Sequence, residues 1–347
     1  MEHLAPIAPA LLDWFEQNAR TLPFRQDPTP YHIWVSEIML QQTRVAAALE
    51  YYHRWMEQLP TIQHLADCPE EKLHKLWEGL GYYNRVRNLQ KAAQIVCEQY
   101  GGELPGDYNT LLTLPGIGEY TAGAIGSIAF GLPVVAVDGN VLRVFSRLYN
   151  DSRDILSPAT RRAFSQWVQH HQPPERAGDY NQALMELGAL VCLPGGQPLC
   201  HQCPLAHLCR AKAAGTQLEL PVKKAAKARK LVDVTLLVIH SPQGCLVQQR
   251  GKKGLLAGLW QPLVVEQAMS QEQILAHLEE LGFTVKELSP LAPARHIFSH
   301  VEWQMQGWQV SVEEAPAPKG CQWASGEELE ERYPIPGAFK AYRPAMK

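Results

Sequence analysis

The sequence has no apolar run that approaches the roughly 18 residues a membrane-spanning helix needs. Its N-terminal segment, MEHLAPIAPA, lacks the charged flank and apolar stretch of a secretory signal. Internal repeats with a period of roughly 20 to 50 residues and low-complexity tracts are also missing. These absences argue against a membrane protein and a repeat protein, and we expect a cytoplasmic protein.

A basic excess is absent as well, because 32 Lys and Arg residues stand against 35 Asp and Glu residues, for a formal net charge of −3. Composition therefore gives no sign of nucleic-acid binding, and any basic surface has to be local. The 347 residues, 46% of them hydrophobic and 19% charged, are enough for two separate cores. We expect a globular, multidomain protein.

The spacing of apolar residues changes once along the chain. From residue 9 to about 191 it is helical and punctuated by proline and glycine, which predicts an all-α domain over 1–217. The basic segment LELPVKKAAKARK at 218–230 has no core pattern and is typical of a linker. Beyond it, strands are predicted in VDVTLLVIHS, CLVQQR and LWQPLVV. A helix is predicted in SQEQILAHLEELG, and a further strand pair around HVEWQMQGWQVSV. Residues 231–347 are therefore predicted to form an α+β domain.

The segment LLTLPGIGEYTAGAIGSIAF at 111–130 predicts two short helices joined by a glycine-rich turn. Gly116 and Gly118 let backbone N–H groups at the start of the second helix approach a phosphate, and the helix dipole favours the anion. Such a helix-hairpin-helix holds DNA without reading its sequence. For the PGIG turn taken alone, a plain helical turn is the alternative.

Four of the eight cysteines lie within 18 residues of one another, which indicates metal or cluster ligation in a reducing compartment rather than secreted disulfides. Four thiolates suit either tetrahedral zinc or a [4Fe–4S] cluster. Structural zinc sites usually show two C-x2-C pairs and this chain has one, so the spacing favours iron-sulfur; buried free cysteines are the third alternative. The four are Cys192, Cys200, Cys203 and Cys209.

Two carboxylates are candidates for acid–base chemistry. Thr29-Pro30 predicts the start of a helix through YHIWVSEIMLQQTRVAAALEYYHRW, in which Glu37 has no Lys or Arg one turn away. Partial desolvation is expected to raise its pKa into the range of a general acid. Asp138 begins a later helix, where it is expected to cap N–H groups and stay ionised. Glycosidic bond cleavage needs this division of roles, although a surface glutamate and a plain N-cap are the alternatives.

The hairpin, Asp138 in VDGNV and the four cysteines that follow resemble the endonuclease III superfamily of DNA glycosylases. The cysteine spacing of that superfamily is C-x6-C-x2-C-x5-C; this chain has one extra residue in the first gap, which the Pro-Gly-Gly turn of LPGGQPL would absorb. The resemblance implies a helix-hairpin-helix glycosylase domain with a [4Fe–4S] cluster on the four cysteines. Two further segments resemble the adenine-specific branch of this superfamily: PYHIWVSEIMLQQTRV and WEGLGYYNRVRNL. The resemblance to this branch extends over nearly the whole chain.

Members of this branch excise adenine opposite 8-oxoguanine or guanine in double-stranded DNA. The lyases of the superfamily carry a lysine nucleophile in a motif like LPGVGRKTA, whereas this chain has Tyr120 in LPGIGEYTA, which implies a monofunctional hydrolytic enzyme. The resemblance makes Glu37 the proton donor to adenine N7 and the later activator of water. It makes Asp138 the group that stabilises the oxocarbenium ion or briefly bonds to it, supported by Tyr120 and Asn140.

The resemblance also implies contacts with the flipped nucleotide. Arg25 and Gln182 would hold the extruded adenine. Other residues resemble those that fill the duplex beside the flipped nucleotide. These are Gln42 and Tyr82 as wedges, with Thr43 and Leu80 packed nearby.

The C-terminal domain resembles the Nudix-type module with which this branch recognises 8-oxoguanine, in GLLAGLWQPL and ARHIFSH. A Nudix hydrolase needs an R-E-U-x-E-E-x-G helix for Mg²⁺. Alignment of EELG at 279–282 with the end of that motif puts Leu275 and Ala276 where Arg and Glu belong, so binding rather than hydrolysis is expected. The loop that the family places beside the lesion corresponds to Phe298, Ser299 and His300.

Three hypotheses follow from the sequence. The first is an adenine DNA glycosylase of base-excision repair that acts as a monomer on duplexes with A opposite 8-oxoguanine or G. The second is an endonuclease III-like glycosylase and lyase for damaged pyrimidines, against which Tyr120 and the second domain argue. The third is a catalytically silent DNA-binding relative, against which Glu37 and Asp138 argue.

Overall fold

The computed structural model describes residues 4–224 and 228–347, so residues 225–227 of the predicted linker lie outside the described residues. The chain forms two compact units. The first comprises Met1–Asp67 and Arg87–Ala225, and the second comprises Cys68–Val86 and Ala226–Lys347. The stretch Cys68–Val86 lies inside the predicted helical domain but packs with the second unit. There, the Lys75 ammonium donates to the carbonyls of Leu329 and Tyr333 at 3.3 and 3.4 Å.

Helices are the regular structure found up to residue 224 in the part of the chain that is described, as the apolar spacing predicts. None of the described helices is long and apolar enough to span a bilayer. Helix α6 and the first residues of α7 belong to the second unit. The helices are α1 Ala8–Asn18, α2 Pro23–Gln26, α3 Pro30–Leu40, α4 Val45–Gln58, α5 Ile62–Asp67, α6 Glu70–Leu76, α7 Asn84–Tyr100, α8 Tyr108–Thr113, α9 Glu119–Ala124, α10 Gly139–Tyr149, α11 Pro158–His171, α12 Ala177–Leu190 and α13 Arg210–Ala214.

The core of the first unit is built around α10 and α12. On α12, Tyr180, Leu184 and Leu187 are buried, at the i, i+4, i+7 spacing of one helix face. They pack with Phe145 of α10 and Leu11 of α1 in one apolar cluster. Because α10 and α12 share this core, the first turn of α10, where Asp138 lies, is held beside α12.

The predicted single helix through residues 31–55 is wrong, because the structure divides it in two. Helix α3 ends at Leu40, α4 begins at Val45, and Gln42 between them has the left-handed φ of 60°. The Trp55 indole N–H donates to the Tyr31 hydroxyl at 3.1 Å, which joins the end of α4 to the start of α3. A continuous helix would hold these two side chains far apart. The buried contact therefore requires the chain to fold back, which helical spacing alone does not reveal.

The second unit contains a mixed eight-stranded sheet, in which β3, β2, β1, β7 and β5 are neighbours in that order. Strands β1 and β7 are parallel, while β4 pairs with β1, β6 with β7 and β8 with β2, all antiparallel. Both faces of the sheet carry an apolar cluster. The elements are β1 Lys230–Ser241, β2 Gly244–Gln249, β3 Trp260–Gln261, β4 Leu263–Val265, α14 Gln271–Glu280, β5 Val285–Pro290, β6 Ala294–Ile297, β7 Val301–Val312, β8 Cys321–Ala324 and α15 Gly326–Glu331.

The predicted strand pair in HVEWQMQGWQVSV is also wrong, because 301–312 form the single strand β7. Its antiparallel partners, β5 and β6, come earlier in the chain. Gly307, in the middle of β7, is there for packing rather than for a turn: a Cβ at this position would lie 2.2 Å from the ring of Tyr342. The ring thus requires a glycine inside a strand.

Candidate active site

A cavity of about 560 Å³ in the first unit is lined by many of the residues that the sequence singles out. Its volume is typical of small-molecule sites. Helices α2, α3, α9, α10 and α12 and the break between α3 and α4 contribute to its wall. The predicted residues in the lining are Arg25, Glu37, Gln42, Thr43, Tyr120, Asp138, Asn140 and Gln182.

Glu37 lies on α3 with 7% of its surface exposed. Burial raises the pKa of its carboxyl from 4.5 to about 7, opposed by the hydrogen bond from Tyr120. The negative charge of Asp138 raises this pKa further, and the positive charge of Arg25 lowers it. The carboxyl therefore exchanges its proton near neutral pH, as a general acid and base requires.

Tyr120 lies on α9 and lines the cavity. Its hydroxyl donates a short hydrogen bond to Glu37 Oε2 and lies 3.2 Å from the sulfur of Met185. Burial raises the pKa of Tyr120 well above its usual value, and the adjacent carboxylates raise it further. The side chain is thus a neutral hydrogen-bond donor, and it offers no amine for a Schiff base.

Asp138 is the N-cap residue of α10, as the sequence predicts. Its Oδ1 accepts from the Val141 N–H at 2.8 Å, and its Oδ2 accepts from the Asn140 amide at 2.7 Å. Burial raises the pKa of Asp138, opposed by these hydrogen bonds and by the charge of Arg143. The sequence suggested the capping bonds but not the desolvation.

Arg143 connects Asn140 to the end of α12. Its guanidinium donates to Asn140 Oδ1 at 2.9 Å, to the Gly188 carbonyl at 2.8 Å and to the Cys192 carbonyl at 2.7 Å. Gly188 is needed for this approach, because a Cβ there would lie 2.5 Å from the Cβ of Asn140. The amide that supports Asp138 is therefore fixed from both sides, and the sequence analysis did not identify either supporting residue.

Arg20 and Glu186 also line the cavity and were not predicted. Glu186, on α12, pairs with Arg20 and with Arg25 at 2.7 and 2.9 Å. No local pattern could have found this arrangement, because Glu186 follows Arg20 by 166 residues.

The predicted helix-hairpin-helix is present as α8, a turn and α9, which continues as a π-helical turn over Ile125–Ala129. Gly116 has a φ of 79°, and a Cβ there would lie 2.8 Å from the Cβ of Asn88. Gly118 is the N-cap of α9, and no atom lies within 4 Å of where its Cβ would be. The surface at the start of α9 is thus open to a large ligand.

The four clustered cysteines lie between the end of α12 and the start of α13. Cys203 is electrostatically coupled to the other three thiols, so the four lie near one another. The Arg147 guanidinium donates to the Cys192 sulfur at 3.3 Å. The longer first gap closes on itself, because the Leu199 N–H donates to the Val191 carbonyl at 2.9 Å and Gly195 has a φ of 68°. None of the eight cysteines forms a disulfide, and no described group of three or more His, Cys, Asp or Glu side chains is arranged to hold a metal ion.

The predicted residues Leu80 and Tyr82 belong to the second unit. Leu80 is buried, whereas Tyr82 is 55% exposed and has the unusual left-handed φ of 47°. The Arg85 guanidinium donates to the carbonyls of Leu80 and Gly81 at 2.8 and 3.1 Å. The turn that presents Tyr82 to solvent is therefore stabilised by the hydrogen bonds from Arg85.

Phe298, Ser299 and His300 form the turn between β6 and β7. The Phe298 N–H donates to the Val301 carbonyl at 2.8 Å, and its ring packs edge-on against Trp303 at 4.9 Å. The side chains of Ser299 and His300 are exposed. A fixed turn thus presents two polar side chains outward.

Comparison with known proteins agrees with this architecture. Residues 35–170 match the HhH-GPD superfamily of base-excision DNA repair proteins, and residues 234–343 match a NUDIX domain. The chain is 38% identical to the adenine DNA glycosylase of Mus musculus, over 92% of this chain and 74% of the mouse protein. It is 33% identical to the adenine DNA glycosylase of Buchnera aphidicola, over 84% of this chain and 82% of that protein.

Among solved structures, a non-covalent endonuclease III–DNA complex superposes with a TM-score of 0.52 at 27% identity, over 61% of this chain and 97% of that chain. The helical fold, the second domain and the adenine DNA glycosylase relatives therefore agree with one another. The chain belongs to the adenine DNA glycosylase family and is a DNA glycosylase of base-excision repair.

Proposed function

We propose that the protein hydrolyses the N-glycosidic bond of adenine opposite 8-oxoguanine or guanine in double-stranded DNA, with Glu37 as the acid and base and Asp138 as the stabiliser of the sugar cation. The observation that carries this proposal is the pairing of two carboxylates in one cavity. One has a pKa of about 7, and the other accepts hydrogen bonds from Val141 and Asn140. The reaction needs one group to donate a proton and one to face positive charge.

In the first step, Glu37 donates its proton to N7 of the flipped adenine. Protonation withdraws electrons from the bond between N9 and C1′, which breaks and leaves the pair with the base. The hydroxyl of Tyr120 donates a hydrogen bond to Glu37 Oε2 and so stabilises the carboxylate that this step creates.

In the second step, the sugar carries positive charge at C1′. The carboxylate of Asp138, held in place by the Asn140 amide, stabilises this charge or briefly bonds to C1′. Ionised Glu37 then takes a proton from water, whose oxygen attacks C1′ and produces an abasic site and free adenine. Since Tyr120 supplies no amine, the strand remains intact.

The other proposed contacts hold the flipped nucleotide. Arg25 and Gln182 line the cavity and are assigned to the adenine. Gln42 and Tyr82, assigned to the gap in the duplex, are among the described non-glycine residues with a positive φ. Backbone strain of this kind is often found at functional sites. Thr43 is assigned to packing beside Gln42, and Leu80 to packing beside Tyr82.

The surfaces assigned to DNA binding and lesion recognition carry residues that are exposed to solvent, among them Gly118, Ser299 and His300. The start of α9, at Gly116 and Gly118, is assigned to a backbone phosphate, which N–H groups of a hairpin bind well. The turn at Phe298, Ser299 and His300 is assigned to 8-oxoguanine. The protein would act as a monomer, in a reducing compartment that keeps its eight thiols free.

A [4Fe–4S] cluster fits the donor set at Cys192, Cys200, Cys203 and Cys209. Four cysteine thiolates are the donor set that such a cluster requires. The hydrogen bond from Arg147 to the Cys192 sulfur, and those from backbone N–H groups to Cys203 and Cys209, are typical of cluster surroundings. When bound, the cluster would supply structural support to the segment between α12 and α13.

The proposal is tested with duplexes that carry A opposite 8-oxoguanine, A opposite G, A opposite T, or an oxidised pyrimidine. We expect alkali-dependent strand breaks for the first two and no product trapped by borohydride. Strand cleavage without alkali, or activity confined to the oxidised pyrimidine, would favour the lyase hypothesis instead. Binding of all duplexes without base release would favour a catalytically silent protein.

The cluster assignment gives a separate prediction. Protein purified without oxygen is expected to be yellow-brown, to absorb near about 400 nm and to hold about four irons per chain. Iron and zinc analysis of the parent and of Cys203→Ser measures this, with Cys97→Ser, a change of a cysteine on α7, as the matched control. One zinc per chain without iron would contradict the assignment.

The lesion turn gives another prediction. Replacement of Ser299 and His300 by alanine removes polar contacts that are worth about 1 kcal/mol each. The preference for A opposite 8-oxoguanine over A opposite G is therefore expected to shrink roughly tenfold or more, while the rate on A opposite G persists. Single-turnover rates on both duplexes measure the ratio, with Ser289→Ala on β5 as the control. An unchanged ratio in the double variant would place lesion recognition elsewhere.

A further inference from the structure

Glu186 is a buried carboxylate in the wall of the cavity, with 1% of its surface exposed. It accepts four hydrogen bonds from two arginines. Arg20 donates through its backbone N–H at 3.0 Å, Nε at 2.7 Å and a terminal nitrogen at 2.8 Å. Arg25 donates through a terminal nitrogen at 2.9 Å. Both oxygens of the carboxylate are thus engaged in charge-assisted bonds, which are the strong kind.

The same network fixes Arg25 from a second direction. Its other terminal nitrogen donates to the Arg20 carbonyl at 3.1 Å, and its guanidinium lies 5.5 Å from the centre of the Phe15 ring. The side chain of Arg25 is 16% exposed. Its position therefore depends on Glu186, on the backbone and on an aromatic face rather than on solvent.

The ion pairs keep Glu186 ionised. Burial alone would raise its pKa, but the hydrogen bonds and charges of Arg20 and Arg25 outweigh burial and lower the pKa to about 2. Over the pH range in which the enzyme works, Glu186 consequently remains a fixed negative charge next to Arg25.

The neighbouring catalytic candidate makes this charge important. Glu37 lines the same cavity and feels the positive charge of Arg25. An arginine without a carboxylate partner in a partly desolvated pocket would be drawn to the nearest other carboxylate. Such a pair would keep Glu37 ionised and would occupy the guanidinium that is assigned to adenine.

We propose that Glu186 is a positioning residue for adenine excision: it anchors Arg25 in the cavity wall and prevents Arg25 from pairing with Glu37. The proposal rests on the proposed role of Glu37 as the acid. Helix α12 would then do more than line the cavity, because the carboxylate of Glu186 keeps the Arg25 guanidinium bound to itself instead of to Glu37.

Three groups that face Glu37 act on its pKa, so their separate effects on the titration of Glu37 can be measured. Tyr120 faces it from α9, Asp138 from the start of α10 and Arg25 from α2. The other charged residues of the cavity lining are Arg20, Arg161 and Glu186. Glu186→Gln keeps the size of the side chain and leaves the first three groups in place, so a changed titration of Glu37 in this variant reports on Arg25.

The experiment is the pH profile of the single-turnover excision rate on A opposite 8-oxoguanine. The parent rate is expected to fall as pH rises through about 7, because the acid must carry its proton. In Glu186→Gln this midpoint is expected to move down by about one unit, so the rate drops roughly tenfold at pH 8 and much less at pH 6. Glu186→Asp, which keeps the charge, is expected to restore most of the midpoint. Asp179→Asn removes a half-exposed carboxylate, paired with Arg176, from the same helix and is the matched control.

Arg25→Gln provides a second line of evidence. Removal of the positive charge is expected to move the midpoint up, and Glu186→Gln added to Arg25→Gln is expected to cause no further shift. If Glu186→Gln does not fold, as judged by circular dichroism, the direction of the Arg25→Gln shift decides. An unchanged midpoint in Arg25→Gln, or in folded Glu186→Gln, would overturn the inference. The Glu37→Gln variant tells the two failures apart, because full activity in that variant would overturn the proposed function itself.

Discussion

Glu37→Gln is expected to lower the single-turnover rate of adenine excision by roughly 10³-fold at pH 7, while affinity for the mispair stays close to that of the parent. The amide matches the carboxyl in size and can still accept from the Tyr120 hydroxyl, so the pocket keeps its shape. It has no proton to give to N7 and cannot activate water. The loss therefore concerns the transition state rather than the bound substrate.

Rates and affinities are measured on the same duplex, with A opposite 8-oxoguanine. Glu50→Gln, which changes an exposed glutamate on α4, controls for the loss of a carboxylate from this region. Turnover in Glu37→Gln within a few-fold of the parent would rule out Glu37 as the acid. A parallel loss of affinity would instead indicate that the substitution disturbs the pocket.

The same substitution is expected to stabilise the protein at alkaline pH. The pKa of Glu37 is about 7 in the folded protein against 4.5 for a free glutamate, so folding favours the protonated form. This contribution is fully present below about pH 4.5 and is lost as pH rises through 7. Above pH 7 the buried charge costs up to about 3 kcal/mol, which glutamine at this position avoids.

Thermal unfolding followed by circular dichroism at two pH values measures this effect. At pH 8.5 the unfolding midpoint of Glu37→Gln is expected to exceed that of the parent by several degrees, at about 2–4 °C per kcal/mol. At pH 4, where the carboxyl is mostly protonated in both the folded and the unfolded chain, the two midpoints should nearly coincide. Glu50→Gln should show no such pH-dependent difference. An equal gain at both pH values would mean that ionisation of Glu37 is not the cause.

A gain in stability together with a loss of activity would identify Glu37 as a group that the fold tolerates for the sake of chemistry. Natural enzymes often keep such groups at the expense of stability. Burial is the main source of the raised pKa, and Asp138 adds to it. The fold thus places two carboxylates where they disfavour each other's charge, which is the condition that separates an acid from a stabilising anion.

The sequence predicted the parts of the site that depend on a few consecutive residues. Thr29 caps α3 through the N–H of His32 at 3.2 Å, with Pro30 at the first position, as expected. Asp138 caps α10, and the hairpin around 115–118 is present. Helix α3 carries no Lys or Arg near Glu37. The positive charge of Arg25, on α2, nevertheless acts on Glu37, because charges on other helices also surround a residue in the folded chain.

The errors have the same origin. Helical spacing continues from α3 into α4, and Gln is a good helix former, so nothing local marks the left-handed Gln42. The hydrogen bond between Tyr31 and Trp55, which requires the reversal, forms only when both helices are packed. In the second unit, Gly307 packs against the ring of Tyr342 inside a strand and does not form a turn. The two residues are remote in sequence, so no local pattern reveals the contact.

By itself, the sequence determined the two classes of structure, the helix starts, the hairpin and the family to which the chain belongs. These properties follow from periodicity, capping and short motifs, whose physical causes act over a few residues. Tertiary structure alone decided the charge environment of Glu37, the anchoring of Arg25 by Glu186, and the close approach of Gly188 to Asn140. Each depends on residues from different helices that meet only in the folded chain, where burial and distance set the energies.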